Sequence, residues 1–286
     1  MDLEERFRVP SHGFRLADHD PADTAELDKD ASVQLRADDL ERLASLQERL
    51  YAEARQSLLV IFQAMDAAGK DGTIAHVMTG VNPQGVQVTS FKQPSSLELA
   101  HDWLWRCSAA LPAHGEMSIF NRSHYEEVLV TRVHPQIVVG QGIDPERVGP
   151  GFWKARLEVI AAWERHLGDC GTRVVKLFLN VSRKEQRKRF LARAETAEKH
   201  WKFSAGDVAE RHHWDAYQDA YQAALEATST KHAPWYVVPA DHKWLMRTAA
   251  ASIIAHHLTD MDPRFPEPSD ADRAAMDAAV SQLEAE

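Results

Sequence analysis

The chain has 286 residues, of which 44% are hydrophobic and 27% charged, and its formal net charge is -10. This composition suits one folded domain with a sizeable buried core and excludes a largely disordered chain. The acidic balance disfavours general nucleic-acid binding, although it leaves room for a local basic channel that binds a polyanion.

The cysteines and the hydropathy pattern bear on where the protein works. Cys107 and Cys170 are too few for a disulfide framework. The N-terminal stretch has no apolar core of a secretion signal, and no apolar run approaches about 18 residues. We therefore expect a cytoplasmic protein without a membrane partner.

Three regions follow one another along the chain. Residues 1–37 are polar and lack a sustained periodicity, which predicts an N-terminal arm that is extended or partly disordered. Leucines recur at helical spacing from residue 38, and alternating strand-like and helix-like patterns then continue to residue 262. We predict one domain over 38–262 and a tail over 263–286, which begins Pro-rich and ends helix-like.

Apolar runs alternate with helical patterns inside this domain. The predicted strands cover residues 58–62, 86–91, 117–120, 174–179 and 235–238. The predicted helices cover residues 73–79, 125–133, 152–167, 207–227 and 244–258, and capping boxes at Ser95 and Ser182 begin two more. Continuous apolar strands separated by helices predict a three-layer α/β fold, with a five-stranded parallel sheet flanked by helices.

The segment from Asp66 to Gly72, with the sequence DAAGKDG, lies between a strand and a helix, as a phosphate-binding loop does. Small residues let backbone N–H groups surround a phosphate, and Lys70 adds a mobile cation. Ala64 stands where the consensus has a glycine and Asp71 where it has Ser or Thr, so an ordinary turn with a surface lysine is the alternative. Asp66 favours the functional interpretation, because a carboxylate among phosphates suggests bound Mg²⁺ or activation of an acceptor phosphate.

A second polar segment, residues 121–126 with the sequence NRSHYE, follows the third predicted strand. Ligands of parallel sheets bind beyond the carboxyl ends of the strands, where Arg122 could pair with a phosphate. Glu126 lies about one helical turn further on and could point back to the same place. Taken alone, the segment could equally be the start of a helix with a solvated charged face.

Together these motifs closely resemble the polyphosphate kinase 2 family. The likeness runs from about residue 40 to about residue 260 and rests on the segments 66–72, 80–85, 90–92, 121–126 and 233–236. The short single-domain form with Asn121 and Glu126 resembles the branch called class III. Members of that branch phosphorylate nucleoside mono- and diphosphates from polyphosphate.

The resemblance implies a P-loop kinase fold akin to thymidylate kinases, with a helical lid at about residues 182–215. It implies that Asp66, Lys70 and Arg122 are catalytic. Asp66 and Asn121 are expected to hold Mg²⁺, with Mn²⁺ as a substitute, directly or through water. Many members carry Asp in place of Asn121, so more of the metal binding falls on Asp66. The expected phosphate or nucleotide contacts are Ala67, Ala68, Gly69, Asp71, Gly72, Thr73, Lys92, Asn121, Glu126, Arg183 and Arg187.

Cationic side chains crowd the predicted helix that begins after Ser182. Such a cluster is typical of a solvated helix face, but in an acidic protein it also suits a lid that closes over phosphates and excludes water. Arg183 and Arg187 share one face and are the predicted lid residues. Lys92 is either a phosphate contact or a surface lysine. Trp201 and Trp214 favour packing between helices over base stacking.

The expected activity is reversible phosphate transfer from inorganic polyphosphate to AMP or ADP, with guanine nucleotides as further acceptors. The family implies a homodimer or homotetramer. Two alternatives stay open: an ATP-dependent nucleoside monophosphate kinase, and a non-catalytic module that binds nucleotide or polyphosphate.

Overall fold

A five-stranded parallel sheet forms the centre of the protein in a computed structural model, which describes residues 2–286. The strands are β1 (Ser57–Gln63), β2 (Val86–Ser90), β3 (Met117–Asn121), β4 (Thr172–Asn180) and β5 (Trp235–Pro239). Their order in the sheet is β2-β3-β1-β4-β5, and all four pairings are parallel. The predicted α/β class and all five predicted strands are confirmed.

Most of the helices flank the sheet. They are α1 (Leu3–Phe7), α2 (Lys29–Glu53), α3 (Lys70–Val77), α4 (Ser96–Leu99), α5 (Trp105–Ser108), α6 (Val130–Val133), α7 (Gln136–Gly140), α8 (Pro150–Asp169), α9 (Arg183–Glu195), α10 (Ala205–Glu210), α11 (Trp214–Thr228), α12 (Lys243–Met261) and α13 (Asp270–Glu284). One group packs α2 and α3 against α12, and another packs α8 against α11. Every residue of β1 is buried, because the central strand is covered on both faces.

The N-terminal arm is more structured than its polarity predicts. Asp28 caps α2 by accepting from the Ala31 N–H at 2.8 Å, so this helix begins at Lys29 and not at residue 38. The short helix α1 buries Leu3 and Phe7. The Val9 N–H then donates to the carbonyl of Trp235 on β5 at 2.9 Å. A few apolar side chains therefore anchor a stretch whose overall composition is polar.

Two predicted helices are interrupted. The stretch 125–133 forms a 3-10 turn (His124–Glu127) followed by α6, because the buried Tyr125 hydroxyl is fixed to Glu164 and Thr228 in the core. The stretch 207–227 is broken by a 3-10 turn at Arg211–His213, where the Arg211 guanidinium bonds the Arg183 carbonyl on α9. In both places a tertiary contact overrides local helix propensity.

The predicted helix starts fare better. Ser95 and Glu98 form the complete capping box that the sequence predicts. Ser182 accepts from the Glu185 N–H, but the Glu185 carboxylate pairs with Arg189, so this box is half formed. In the stretch 2–286, none of the helices is long and apolar enough to cross a membrane.

Candidate active site

The loop between β1 and α3 borders an open cavity of about 700 Å³ at the carboxyl edge of the sheet. Gly69 caps α3 with a φ of 115°, a conformation that side chains rarely adopt. A Cβ atom at Gly69 would also lie 3.0 Å from Cε of Met246, so only glycine fits without strain. This turn brings the amino end of α3 to the cavity, where free N–H groups attract anions.

The same loop is held from behind by α9. The Arg189 guanidinium, only 8% exposed, donates to the carbonyls of Ala67, Ala68 and Ala240. Gln186 donates to the carbonyl of Asp66 at 2.9 Å. These bonds fix the backbone of the loop, so its shape is set before any ligand arrives.

Lys70 lies inside the loop. Its Nζ donates to the carbonyl of Ala64 at 2.8 Å. Burial, followed by the nearby Arg122, lowers the pKa of Lys70 to about 8, although Asp66 and Glu126 act in the opposite direction. A phosphate oxygen in place of the Ala64 carbonyl would give this ammonium group a negatively charged partner.

Arg122 connects the loop to the segment after β3. Its backbone has a φ of 65°, and its N–H donates to the carbonyl of Phe62 at 3.0 Å. The guanidinium donates to Asp66 at 2.5 Å and to Glu126 at 3.0 Å. Glu126 and then Asp66 hold the pKa of Arg122 above its ordinary value, although burial opposes them. A permanent cation is thereby fixed at the junction of the two predicted motifs.

Asn121 and Asp71 both line the cavity and are bonded to each other. The Asn121 amide donates to Asp71 at 2.9 Å, and Lys202 Nζ lies 3.7 Å from the other oxygen of that carboxylate. Burial alone would raise the pKa of Asp71, but Asn121, Lys202 and Lys70 together outweigh it and lower the pKa. Asn121 is thus bonded to Asp71 in this structure, and not to its predicted co-ligand Asp66.

The side-chain oxygens at the cavity show whether the predicted Mg²⁺ site has suitable ligands. Within residues 2–286, no three His, Cys, Asp or Glu side chains form a group suited to hold a metal ion. The carboxylates of Asp66 and Asp71 both border the cavity, and Arg122 engages one oxygen of Asp66. Such a donor set fits Mg²⁺, which typically takes one or two carboxylates and completes its shell with water and substrate phosphates.

Most of the predicted site residues line this cavity. They are Asp66, Ala67, Gly69, Lys70, Asp71, Gly72, Lys92, Asn121 and Arg122. Ala68 and Thr73 are buried beneath the loop, where the Thr73 hydroxyl donates to the Gly69 carbonyl at 3.1 Å. The predicted lid residues Arg183 and Arg187 are exposed on α9 and are not among the residues that line the cavity.

One wall of the cavity, which contains two cations, is formed by residues that the sequence interpretation did not choose. It consists of Arg193, Trp201, Lys202 and Asp207. Trp201 is 79% exposed, and Lys202 Nζ lies 4.7 Å from the centre of its ring. The interpretation of Trp201 as a helix-packing residue is therefore wrong, whereas the partly buried Trp214 does pack against the core. The spacing of Arg189 and Arg193 places them on one helix face, but it does not show that this face meets the cavity.

A second cavity of about 630 Å³ adjoins the first. Phe91, Lys92 and Arg122 line both cavities. The far walls of the second cavity combine apolar and polar side chains, among them Leu99, Arg106, Glu126, Glu127, Val130, Thr131 and Gln141. The Arg106 guanidinium lies 5.4 Å from the ring centre of Phe91. Two separate molecules could therefore meet at Arg122.

Comparison with known proteins agrees with this geometry. The sequence model of the family "Polyphosphate kinase 2 (PPK2)" matches residues 26–266. An ADP-polyphosphate phosphotransferase of Rhodopseudomonas palustris is 51% identical over 85% of this chain and 85% of its own length. An AMP/ADP-polyphosphate phosphotransferase of Meiothermus ruber is 44% identical over 93% of this chain and 97% of its own length.

A solved structure is also similar over nearly the whole chain. The crystal structure of polyphosphate kinase 2 from Arthrobacter aurescens TC1 has a TM-score of 0.90 and 42% sequence identity, and the match covers 99% of this chain and 97% of that one. The chain belongs to the polyphosphate kinase 2 family.

Proposed function

We propose that the protein transfers a phosphoryl group from inorganic polyphosphate to the terminal phosphate of AMP or ADP. The observation that carries this proposal is the pair of adjoining cavities, which share Arg122. A two-substrate phosphoryl transfer needs donor and acceptor on opposite sides of the moving group. The names of the two relatives above, at 51% and 44% identity, support both the donor and the acceptors.

The first cavity suits the polyphosphate. Lys70, Arg193 and Lys202 border it together with the loop, and Lys92 stands at its junction with the second cavity. A chain with about one negative charge per phosphate gains from several cations placed along its path. The exposed wall that contains Trp201 and Lys202 would cover the bound chain and exclude water, which would otherwise hydrolyse the donor.

The second cavity suits the nucleoside of the acceptor. Its wall combines the Phe91 ring, beside the Arg106 guanidinium, with polar groups of Glu127, Thr131 and Gln141. A purine ring presents an apolar face and polar edges, and both find partners there. The mixed walls admit adenine and guanine, so guanine nucleotides belong among the acceptors to be tested.

The protein residues would work by positioning and charge. Arg122 would exchange one of its two carboxylate partners for the phosphoryl group in transfer, and Lys70 would exchange the Ala64 carbonyl for a phosphate oxygen. The positive charges of Arg122 and Lys70 would then balance the negative charge that spreads over the phosphoryl oxygens in the transition state. Mg²⁺, held by Asp66 with Asp71 or Asn121, would supply further positive charge when it is bound.

The direct test incubates the protein with ADP, polyphosphate and Mg²⁺ in the absence of ATP. ATP should form, and the Lys70→Ala variant should form almost none. Lys231→Ala serves as a matched control, because this exposed lysine lies outside both cavities. Phosphate transfer to AMP from ATP but never from polyphosphate would identify an ATP-dependent kinase instead. Polyphosphate binding without any transfer would identify a non-catalytic binding module.

A further inference from the structure

The C-terminal helix α13 stands apart from the rest of the protein. It is well formed, since Ser269 and Asp272 make a complete capping box at its start. None of its residues is buried, yet Met276, Val280 and Leu283 form an apolar stripe at steps of four and three. These three side chains are 58%, 50% and 68% exposed. A helix of this length is marginal in water by itself, so the stripe needs a partner.

A groove of matching character lies between α8 and α11. It has a volume of about 1000 Å³, and its apolar lining includes Trp153, Leu157, Ala161, Ala162 and Ala223. The alanines leave room for the larger side chains of another helix. The groove belongs to neither cavity of the candidate active site, so it serves no purpose in the proposed reaction.

The charges around the two surfaces are complementary. The charged residues of α13 are mostly acidic: Asp270, Asp272, Arg273, Asp277 and Glu284. The groove is bordered by Arg132, Lys154 and Arg165 and also by Glu158 and Glu226, so its cations exceed its carboxylates by one. Lys154 pairs with Glu158, whereas within the described chain neither arginine forms a salt bridge. Opposite charges at the rim of an interface fix its orientation and raise the rate of encounter.

The linker before α13 favours a partner in another molecule. It contains Pro263, Pro266 and Pro268 and has no helical residue between Asp262 and Ser269. Proline-rich segments are semi-rigid spacers, so the linker projects α13 away from its own domain. The match to the family's sequence model ends at residue 266, so α13 lies outside the region that defines the family.

We propose that α13 of one copy of this chain docks in the α8–α11 groove of a second copy. A two-fold arrangement exchanges two helices, so each copy fills the groove of the other. The proposal does not depend on the proposed reaction, because the helix and the groove lie outside the candidate active site.

The first experiment measures association of the full chain by analytical ultracentrifugation over a range of concentrations. Val280→Asp places a charge on the stripe, and it should weaken association about tenfold or more. Ser281→Asp is the matched control, since the neighbouring position lies off the stripe on the same helix, and it should leave association unchanged. Kinase activity per chain should be the same in both variants. Equal association by the two variants would overturn the proposal.

The second experiment tests the groove and the exchange between copies. Ala162→Glu should weaken association as Val280→Asp does, whereas Val159→Glu, on an exposed position of α8 outside the groove lining, should not. Mixing the Val280→Asp and Ala162→Glu chains should restore association in part, because the intact helix of one fits the intact groove of the other while the second contact stays broken. Failure of the mixture to associate more strongly than either variant alone would show that α13 docks on its own chain or nowhere.

Discussion

Two charged clusters both include residues of the segment 122–126, and they differ in how far their side chains are exposed to solvent. Arg122 and Glu126 belong to the open cluster in the candidate active site, where the side chains of Arg122, Asp66 and Glu126 are 36%, 25% and 15% exposed. Tyr125, between them in sequence, points into a closed cluster in which the side chains of Lys176 and Glu164 are 0% exposed.

The closed cluster has all its partners within the protein. Lys176 Nζ donates to Glu164, to the Tyr125 hydroxyl at 3.0 Å and to the Thr228 carbonyl at 2.8 Å. Burial alone would raise the pKa of Glu164, but Lys176 and His124 together outweigh it and keep that pKa below its ordinary value. The two clusters therefore differ in role. The closed cluster fixes the 3-10 turn at His124–Glu127. The open cluster beside that turn contains cations that can exchange a carboxylate partner for a phosphate.

The largest expected effect is on the chemistry of the open cluster. Asp66→Asn removes the carboxylate that faces both Arg122 and the predicted Mg²⁺, so kcat should fall by about 10²–10³-fold. The folded state should lose little, because the side chain is partly exposed. Rates of ATP formation and thermal melting measure the two quantities. A kcat within a few-fold of the parent would refute the catalytic assignment.

The closed cluster should respond in the opposite manner. Lys176→Met leaves Glu164 charged and buried without its cationic partner, which should cost about 3–5 kcal/mol of unfolding free energy. Urea denaturation measures this loss, and activity at low temperature should persist in the molecules that remain folded. The double variant with Glu164→Leu should recover part of the stability. Full stability in the single variant would contradict a structural role for the ion pair.

The pKa of Lys70 sharpens the description of the open cluster. A lysine with a pKa of about 8 is charged at lower pH and loses its proton as the pH rises through that value. The ratio kcat/KM for polyphosphate should therefore fall above pH 8, by up to about tenfold per pH unit. Lys70→Arg keeps its charge and should abolish this decline, although its overall rate should be lower. An identical pH profile in the variant would assign the decline to another group.

The smallest effect is expected at the exposed wall of the first cavity. Lys202→Ala removes a cation 3.7 Å from Asp71 and should raise the KM for polyphosphate about two- to fivefold with little change in kcat. The increase should shrink at high salt, because exposed charges are screened. Lys184→Ala, an exposed lysine on α9 outside the cavity, is the control. Equal increases in KM for both variants would show that Lys202 acts only through the general charge of the protein and does not contact polyphosphate.

The sequence was most informative where one physical signal dominated. The apolar runs of β1, β4 and β5 became buried strands, because a sheet covered on both faces buries successive side chains of a strand. The DAAGKDG loop and Arg122 were found because phosphate chemistry needs small residues and cations at the ends of strands. Their meeting around one cavity follows from the parallel pairing of β1 with β3, which places Phe62 opposite Asn121.

Its predictions were poorest where distant contacts decide the local structure. The break at Arg211 depends on a contact with α9. The start of α2 was missed for another reason, because its local cap at Asp28 lies in a polar arm without an apolar periodicity. Among the basic residues of α9, spacing alone could not separate Arg183 and Arg187, which are exposed, from Arg189, which holds the loop, and Arg193, which lines the cavity. These residues can be told apart only when it is known which face of α9 packs against the rest of the protein.

The contact between Val9 and β5 has a consequence for how the protein folds during synthesis. Val9 and Arg8 pair with Trp235 and Tyr236, which are made more than two hundred residues later. Loop closure over such a distance is slow, and the partly made chain cannot satisfy its N-terminal segment. The N-terminal segment should therefore reach its folded state only after β5 has emerged from the ribosome.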